Sequence, residues 1–193
     1  VKVWRDLWGL GEMPFYEVEL APFTYGGDGT TGARIREAQH KAVELIPGSG
    51  IASINDLAYP YEYDEIHPRR KKEVGERLSY LALNRTYGMD YLPCEGPRFK
   101  SYEVRGVEIE VAFYNGESGF SPWHDIVGFE IAGEDKVFHP AEIRRGTQLN
   151  TVIVKSGKVP APVAVRYCFR DFQVGNFTGR RCLPVIPFRT DNW

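Results

Sequence analysis

The chain has 193 residues, 42% hydrophobic and 26% charged, with a formal net charge of −2. That composition belongs to a folded globular protein and excludes a disordered or fibrous one, while the near balance of charge excludes a bulk basic field for nucleic acid or an anionic membrane. No stretch reaches the roughly 18 apolar residues of a membrane span, and the length suits one large domain or two small ones.

The chain opens on Val1 rather than Met, so its native start is expected to lie upstream. Trp4 and Trp8 share one helical face, expected to be exposed where other strands belong. PFYEVELAPF (14–23) alternates around Phe15, Val18 and Leu20 and ends in GGDGTTG, which predicts a strand closed by a turn. ARIREAQHKAVELI (33–46) predicts a helix with Ile35, Ala38, Ala42, Leu45 and Ile46 turned inward, Thr30 or Thr31 as N-cap and PGSG as its stop. IASINDL (51–57) reads as a short buried strand. Pro68 to about Tyr87 predicts a second helix, ended by Gly88, with Val74, Leu78, Leu81 and Ala82 inward. The basic run Arg69 to Lys72 is answered by Glu73 and Glu76 and reads as that helix's solvated face.

Strand, helix, strand, helix implies parallel pairing and an α/β layer structure over residues 1–95. Two strands are too few for a whole domain, so this half is expected to be the end of a larger parallel sheet. After LPCEGP (92–97) the period changes. VRGVEIEVAFYN, IVGFEIAG, TQLNTVIVKS and PVAVRYCF are short β-branched or aromatic runs separated by turn residues. They predict an antiparallel, sandwich-like β domain over residues 96–193. Of the three cysteines, Cys168 and Cys182 could form one disulfide, and a disulfide scaffold is excluded.

The chemistry concentrates in YDEIHP (63–68). Proline favours the first position of a helix, so Pro68 places His67 at or next to an N-cap, past the carboxyl side of the preceding strand. Ligands of open α/β sheets bind at that edge. The helix dipole there disfavours an imidazolium, keeping the ring able to take a proton. Asp64, three residues earlier, can orient the ring and stabilise its cation; Glu65 is a second carboxylate in reach. His67 is thus a candidate general base. No serine of the chain lies in a Gly-x-Ser-x-Gly or Gly-Asp-Ser context, and no triad can be assembled. Tyr59, Tyr61 and Tyr63 alternate just ahead of the pair and could wall a sugar site or pack the loop. Arg36 and Gln39, one helical turn apart, could face substrate or hold neighbouring loops. Asp56 is expected to brace the His67 loop. His124 and His139 have no second ligand at useful spacing, so no metal site is expected.

In order along the chain, PFYEVELAPF, IREAQ, NDL, EIHPRRKKEVGERL, GFEIAG, PVAVRY and PFRTDNW resemble the sialate O-acetylesterase family, esterases of the SGNH hydrolase class. The resemblance spans Trp4 to Trp193 and implies that the C-terminal end is native. It implies a partial SGNH-like three-layer parallel sheet followed by the β domain. His67 takes the place of the catalytic histidine and Asp64 that of the triad acid, a position variable within the family. The family's nucleophilic serine and oxyanion-hole segments precede the region present here. The chain is therefore expected to be the C-terminal part of a carbohydrate O-acetylesterase, inactive alone, whose partner is the N-terminal portion carrying the serine. The implied substrate is an O-acetylated sugar, no metal or organic cofactor is needed, and the location is extracytoplasmic. The competing expectation is a non-catalytic glycan-binding or interaction module, in which YDEIHP is only a helix start. A metallohydrolase using Asp64, Glu65 and His67 lacks a third separated ligand.

Overall fold

The computed structural model describes Val1–Trp193. A short helix α1 (Lys2–Trp8) precedes strand β1 (Phe15–Val18), helix α2 (Thr31–Leu45), strand β2 (Ser49–Ala52) and helix α3 (Lys71–Leu81). A single π-helical turn, Ala82–Thr86, prolongs α3, and Gly88 leaves it at a φ of 70°. β1 and β2 pair in parallel, from Phe15 opposite Ser49 to Val18 opposite Ala52. Helix α2 packs on β2, and α3 on both strands. The parallel pair with its helices is thus present; a three-layer parallel sheet is not, because the chain supplies only these two parallel strands.

Three local expectations are corrected. The strand expected over 51–57 ends at Ala52, because the Ile54 amide donates to the Glu19 carboxylate at 2.6 Å instead of continuing the ladder. The second helix begins at Lys71, not Pro68. Buried Glu62 accepts the Arg69 amide at 3.3 Å, which holds the chain on an irregular path through residues 62–70. Finally, α2 presents the opposite face from the one expected. Gly32, Ala33 and Arg36 are buried, whereas Ile35 is 46% and Leu45 83% exposed, with Ala38 and Ala42 also outside.

Ten strands follow. β3 (Arg98–Arg105), β4 (Glu108–Tyr114), β8 (Glu142–Arg145) and β9 (Thr151–Lys155) form one antiparallel sheet in the order β3-β4-β9-β8. β6 (Phe129–Ala132), β7 (His139–Pro140), β10 (Ala164–Tyr167) and β12 (Phe188–Arg189) form the second, in the order β12-β10-β6-β7. β5 (Phe120–Ser121) and β11 (Thr178–Gly179) make a small ribbon at one end. Alternation on the strands explains the layering. Ile109, Val111, Phe113, Val152 and Val154 meet Phe129, Ile131, Val165, Tyr167 and Phe188 in one core between the two sheets.

The two halves are joined by polar contacts. Asp171 accepts the Gly32 amide at 2.6 Å, at the N-terminal end of α2. Arg189 pairs with Glu37 at 3.0 Å, Arg98 pairs with Glu44, and buried Arg36 donates to the Arg170 carbonyl. The Cys168–Cys182 disulfide does not form. All three cysteines are free: Cys168 is buried, with its thiol pushed up to about 12 by burial, while Cys182 lies at the surface.

Candidate active site

The loop leaving the carboxyl end of β2 carries the candidate residues, and its backbone is anchored at several points. At its root, fully buried Glu19 accepts the Ser53 hydroxyl at 2.8 Å and the Ile54 amide at 2.6 Å, and binds His40 Nε2 at 2.9 Å. Burial alone would lift the Glu19 carboxyl. The His40 ring, the Arg36 guanidinium and the Ile54 amide outweigh it and hold the group below its usual range. Next, Asp56 takes both terminal nitrogens of Arg77 from α3 at 2.6 Å each, and the Arg77 Nη1 also donates to the Ser53 carbonyl at 2.6 Å. Arg70 reaches back to the Asp56 carbonyl at 3.3 Å. Asp56 therefore braces the loop onto the following helix.

Farther along, Glu62 closes the loop on itself. One oxygen accepts the Tyr59 amide at 2.8 Å and the other the Arg69 amide. Thr24 donates both its amide and its hydroxyl to the Tyr63 carbonyl, at 3.0 and 2.8 Å. These anchors fix where residues 59–70 run. They leave the side chains of Asp64 and His67 exposed at the surface.

His67 lies three residues before Arg70, the N-cap of α3, so it is not itself the cap and the dipole acts on it only from a distance. Its amide donates to Glu65 Oε1 at 3.0 Å. Neither the Asp64 nor the Glu65 carboxylate is hydrogen-bonded to the His67 ring. Sequence reasoning brought Asp64 and His67 to one loop; the structure keeps them there without joining them.

The other candidates divide. Tyr61 is 59% and Tyr63 56% exposed on the loop that carries His67. Tyr61 stacks on Tyr59 with centroids 5.3 Å apart and rings 5° from parallel, and the Arg69 guanidinium lies 5.8 Å from its ring centre. The Tyr59 and Tyr61 rings form an open aromatic ledge. Arg36 and Gln39 do not join it. The Gln39 amide is committed to backbone, accepting from Leu20 N–H at 2.7 Å and donating to the Val18 carbonyl at 3.3 Å. Arg36 is 2% exposed and donates through Nη2 to the Arg170 carbonyl across the halves of the molecule, while its buried Nε and Nη1 have no hydrogen-bond partner. In place of a substrate-facing role, both are bracing residues. No three His, Cys, Asp or Glu side chains gather where they could hold a metal.

Glu19 and Glu62, the buried carboxylates that shape the loop, were missed from the sequence. Each is a charge in a run of apolar or aromatic residues, VEL and YEY, and that isolation was the available signal.

No family model matches the chain, and no curated relative does. Among solved structures, the chain is similar over its whole length to XAC1771, a carbohydrate acetylesterase from Xanthomonas citri. The identity is 38% and the TM-score 0.86. The chain spans 44% of that protein's length. The likeness is to a carbohydrate esterase in general and does not single out sialate.

Proposed function

We propose that this chain is the C-terminal part of a carbohydrate O-acetylesterase of the SGNH class, the nucleophilic serine being carried by polypeptide outside it. The observation that carries the reading is full-length similarity, at 38% identity, to part of a carbohydrate acetylesterase, coinciding with a histidine held at the surface on the carboxyl side of a parallel strand pair. In this reading β1 and β2 are the end of a three-layer parallel sheet, residues 1–95 belong to the catalytic domain, and residues 96–193 form the β domain beside it.

The reaction is acyl transfer. A serine hydroxyl from the missing portion attacks the acetyl carbonyl of a sugar ester while His67 takes its proton. His67 then gives that proton to the sugar oxygen as its bond to the acetyl carbon breaks. Water, deprotonated by His67, releases acetate from the acetyl-serine, and His67 returns the proton to the serine. Asp64, or Glu65 in its place, closes on the ring when the serine-bearing polypeptide covers the loop, and steadies the imidazolium. The exposed Tyr61 and Tyr63 rings offer the sugar contact area plus hydroxyls. O-acetylated sialic acid is the substrate that the sequence resemblance favours, with an extracytoplasmic location, and no metal or organic cofactor enters the scheme.

The test is an acetyl-ester assay on a longer protein that includes the preceding polypeptide, with the 193-residue chain assayed alongside. The chain alone should be inactive, and His67→Ala in the longer protein should lower kcat by several orders of magnitude. A loss below tenfold removes His67 from the mechanism. Asp64→Asn and Glu65→Gln then identify the orienting carboxylate by which of them lowers the rate.

A further inference from the structure

A cleft of about 340 Å³ opens at one end of the sandwich, where the β8–β9 turn meets the β5–β11 ribbon. No residue of the His67 loop lines it. Its floor is built rather than incidental. Glu110, on β4, accepts the Thr147 amide at 2.6 Å, the Thr147 hydroxyl at 2.7 Å and the Thr151 hydroxyl at 2.8 Å. A Cβ on Gly146 would come within 2.1 Å of Thr151 Oγ1 and 2.7 Å of Glu110 Oε1, so the turn closes only on glycine.

The charge inside this cleft is unbalanced. Every other arginine side chain of the protein has a carboxylate, carbonyl or hydroxyl partner; Arg145, Arg180 and Arg181 have none, and the first two line this cleft. No acidic residue is among the lining residues. Arg145 lies 5.2 Å over the Trp123 ring, an arrangement that orders the guanidinium while its N–H edge stays available. The Arg180 backbone is fixed by its amide, which donates to the Gly119 carbonyl at 3.0 Å. The Gln148 backbone amide donates to Thr151 Oγ1 at 3.0 Å, while its side-chain carboxamide has no partner in the chain, and Leu149, 71% exposed, forms an apolar rim.

Two arginines without a carboxylate partner line one cavity, and an uncharged guest leaves that charge unbalanced. A planar carboxylate relieves it and suits the arginine fork. A carboxamide and an aromatic or aliphatic wall are what the hydroxyls and C–H face of a sugar ring need beside it. We propose that this cleft binds a carboxylate-bearing sugar of an oligosaccharide, with Arg145 and Arg180 on the carboxylate, Gln148 on ring hydroxyls and Trp123 with Leu149 against the ring. The site is separate from His67 and stands whether or not the esterase reading does.

Calorimetric titration of the chain with trigalacturonate, 3′-sialyllactose, cellotriose and sodium acetate tests it, each variant first being checked for an unchanged melting transition. At least one of the two carboxylated sugars should bind, more weakly as salt is added. Arg145→Ala and Arg180→Ala should each weaken that binding about tenfold, the scale of one charge-assisted hydrogen bond. Arg145→Lys should recover only part of the loss, and His67→Ala should change nothing. Binding of neither acidic sugar, equal binding of cellotriose, equal binding of acetate, or indifference to both alanine variants would each overturn the proposal.

Discussion

The sandwich and the α/β portion handle their apolar surface in opposite ways. Between its two sheets the sandwich buries Phe113, Phe129, Tyr167 and Phe188, and it encloses Phe120 and Phe177 beneath the end ribbon. The α/β portion leaves Trp4, Leu7, Trp8, Ile35 and Leu45 in solvent, each more than two-fifths exposed. Both are built from similar amounts of apolar sequence. One finds its partners within the chain, and the other carries an apolar helix face that nothing in the chain covers. Hydrophobic pattern specifies that a face is to be buried; it does not specify by what.

The contrast can be broken most directly by deletion of matched side chains. Phe113→Ala should destabilise the chain by about 3–5 kcal/mol, whereas Leu45→Ala should stay within about 0.5 kcal/mol, both read from denaturant unfolding. Comparable losses at the two sites would mean that the α2 face is covered after all. The α/β portion depends instead on polar clamps. Asp56→Asn, which leaves Arg77 largely buried without its carboxylate, should cost about 3 kcal/mol and loosen the His67 loop, visible as faster amide exchange over residues 56–70. An unaltered exchange pattern would show that Asp56 is not what braces that loop.

A smaller effect tests the root of the α/β portion by pH. The Glu19 carboxyl is held below its usual range in the folded chain. Its contribution is therefore fully present above the ordinary carboxylate value and is lost as pH falls through the lowered one. Melting of the α/β portion should weaken on acidification below about pH 4.5, and Glu19→Gln should flatten that dependence. A wild-type and a variant profile that run parallel in acid would exclude Glu19 as the titrating group.

Much of the fold was legible because its signals are local. The β-branched runs of the second half contain β4, β6, β9 and β10, since alternation and turn residues act over a few positions, but VRGVEIEVAFYN also holds the β3–β4 turn and most of β3 lies ahead of it. Helix α2 also begins and ends within two residues of its expected limits. Its orientation was not legible: Ile35, Ala38, Ala42 and Leu45 form a coherent stripe, but Gly32, Ala33 and Arg36 allow the closer approach to the rest of the chain. The candidate site was legible as a loop and a residue pair. Its backbone course was not, because two buried carboxylates decide it. Glu19 ends β2 by taking the Ile54 amide, and Glu62 delays α3 by taking the Arg69 amide. Such long-range acceptors leave no periodic trace.

The arginines on α3 and its π turn carry a directional consequence for the parallel pair. Arg85 donates to the Ser49 carbonyl and Arg77 to the Ser53 carbonyl, whereas Gly48 and Ala52 accept from the β1 side. The outer rim of β2 is thereby capped by guanidinium groups, much as charged side chains blunt an edge elsewhere. On the far rim of β1 the Gln39 carboxamide takes the Val18 carbonyl and the Leu20 amide, a neutral clamp at the end of the strand. A strand that extends this sheet is therefore favoured beside the Phe15–Glu17 stretch of β1, ahead of that clamp, over the guanidinium-capped rim of β2.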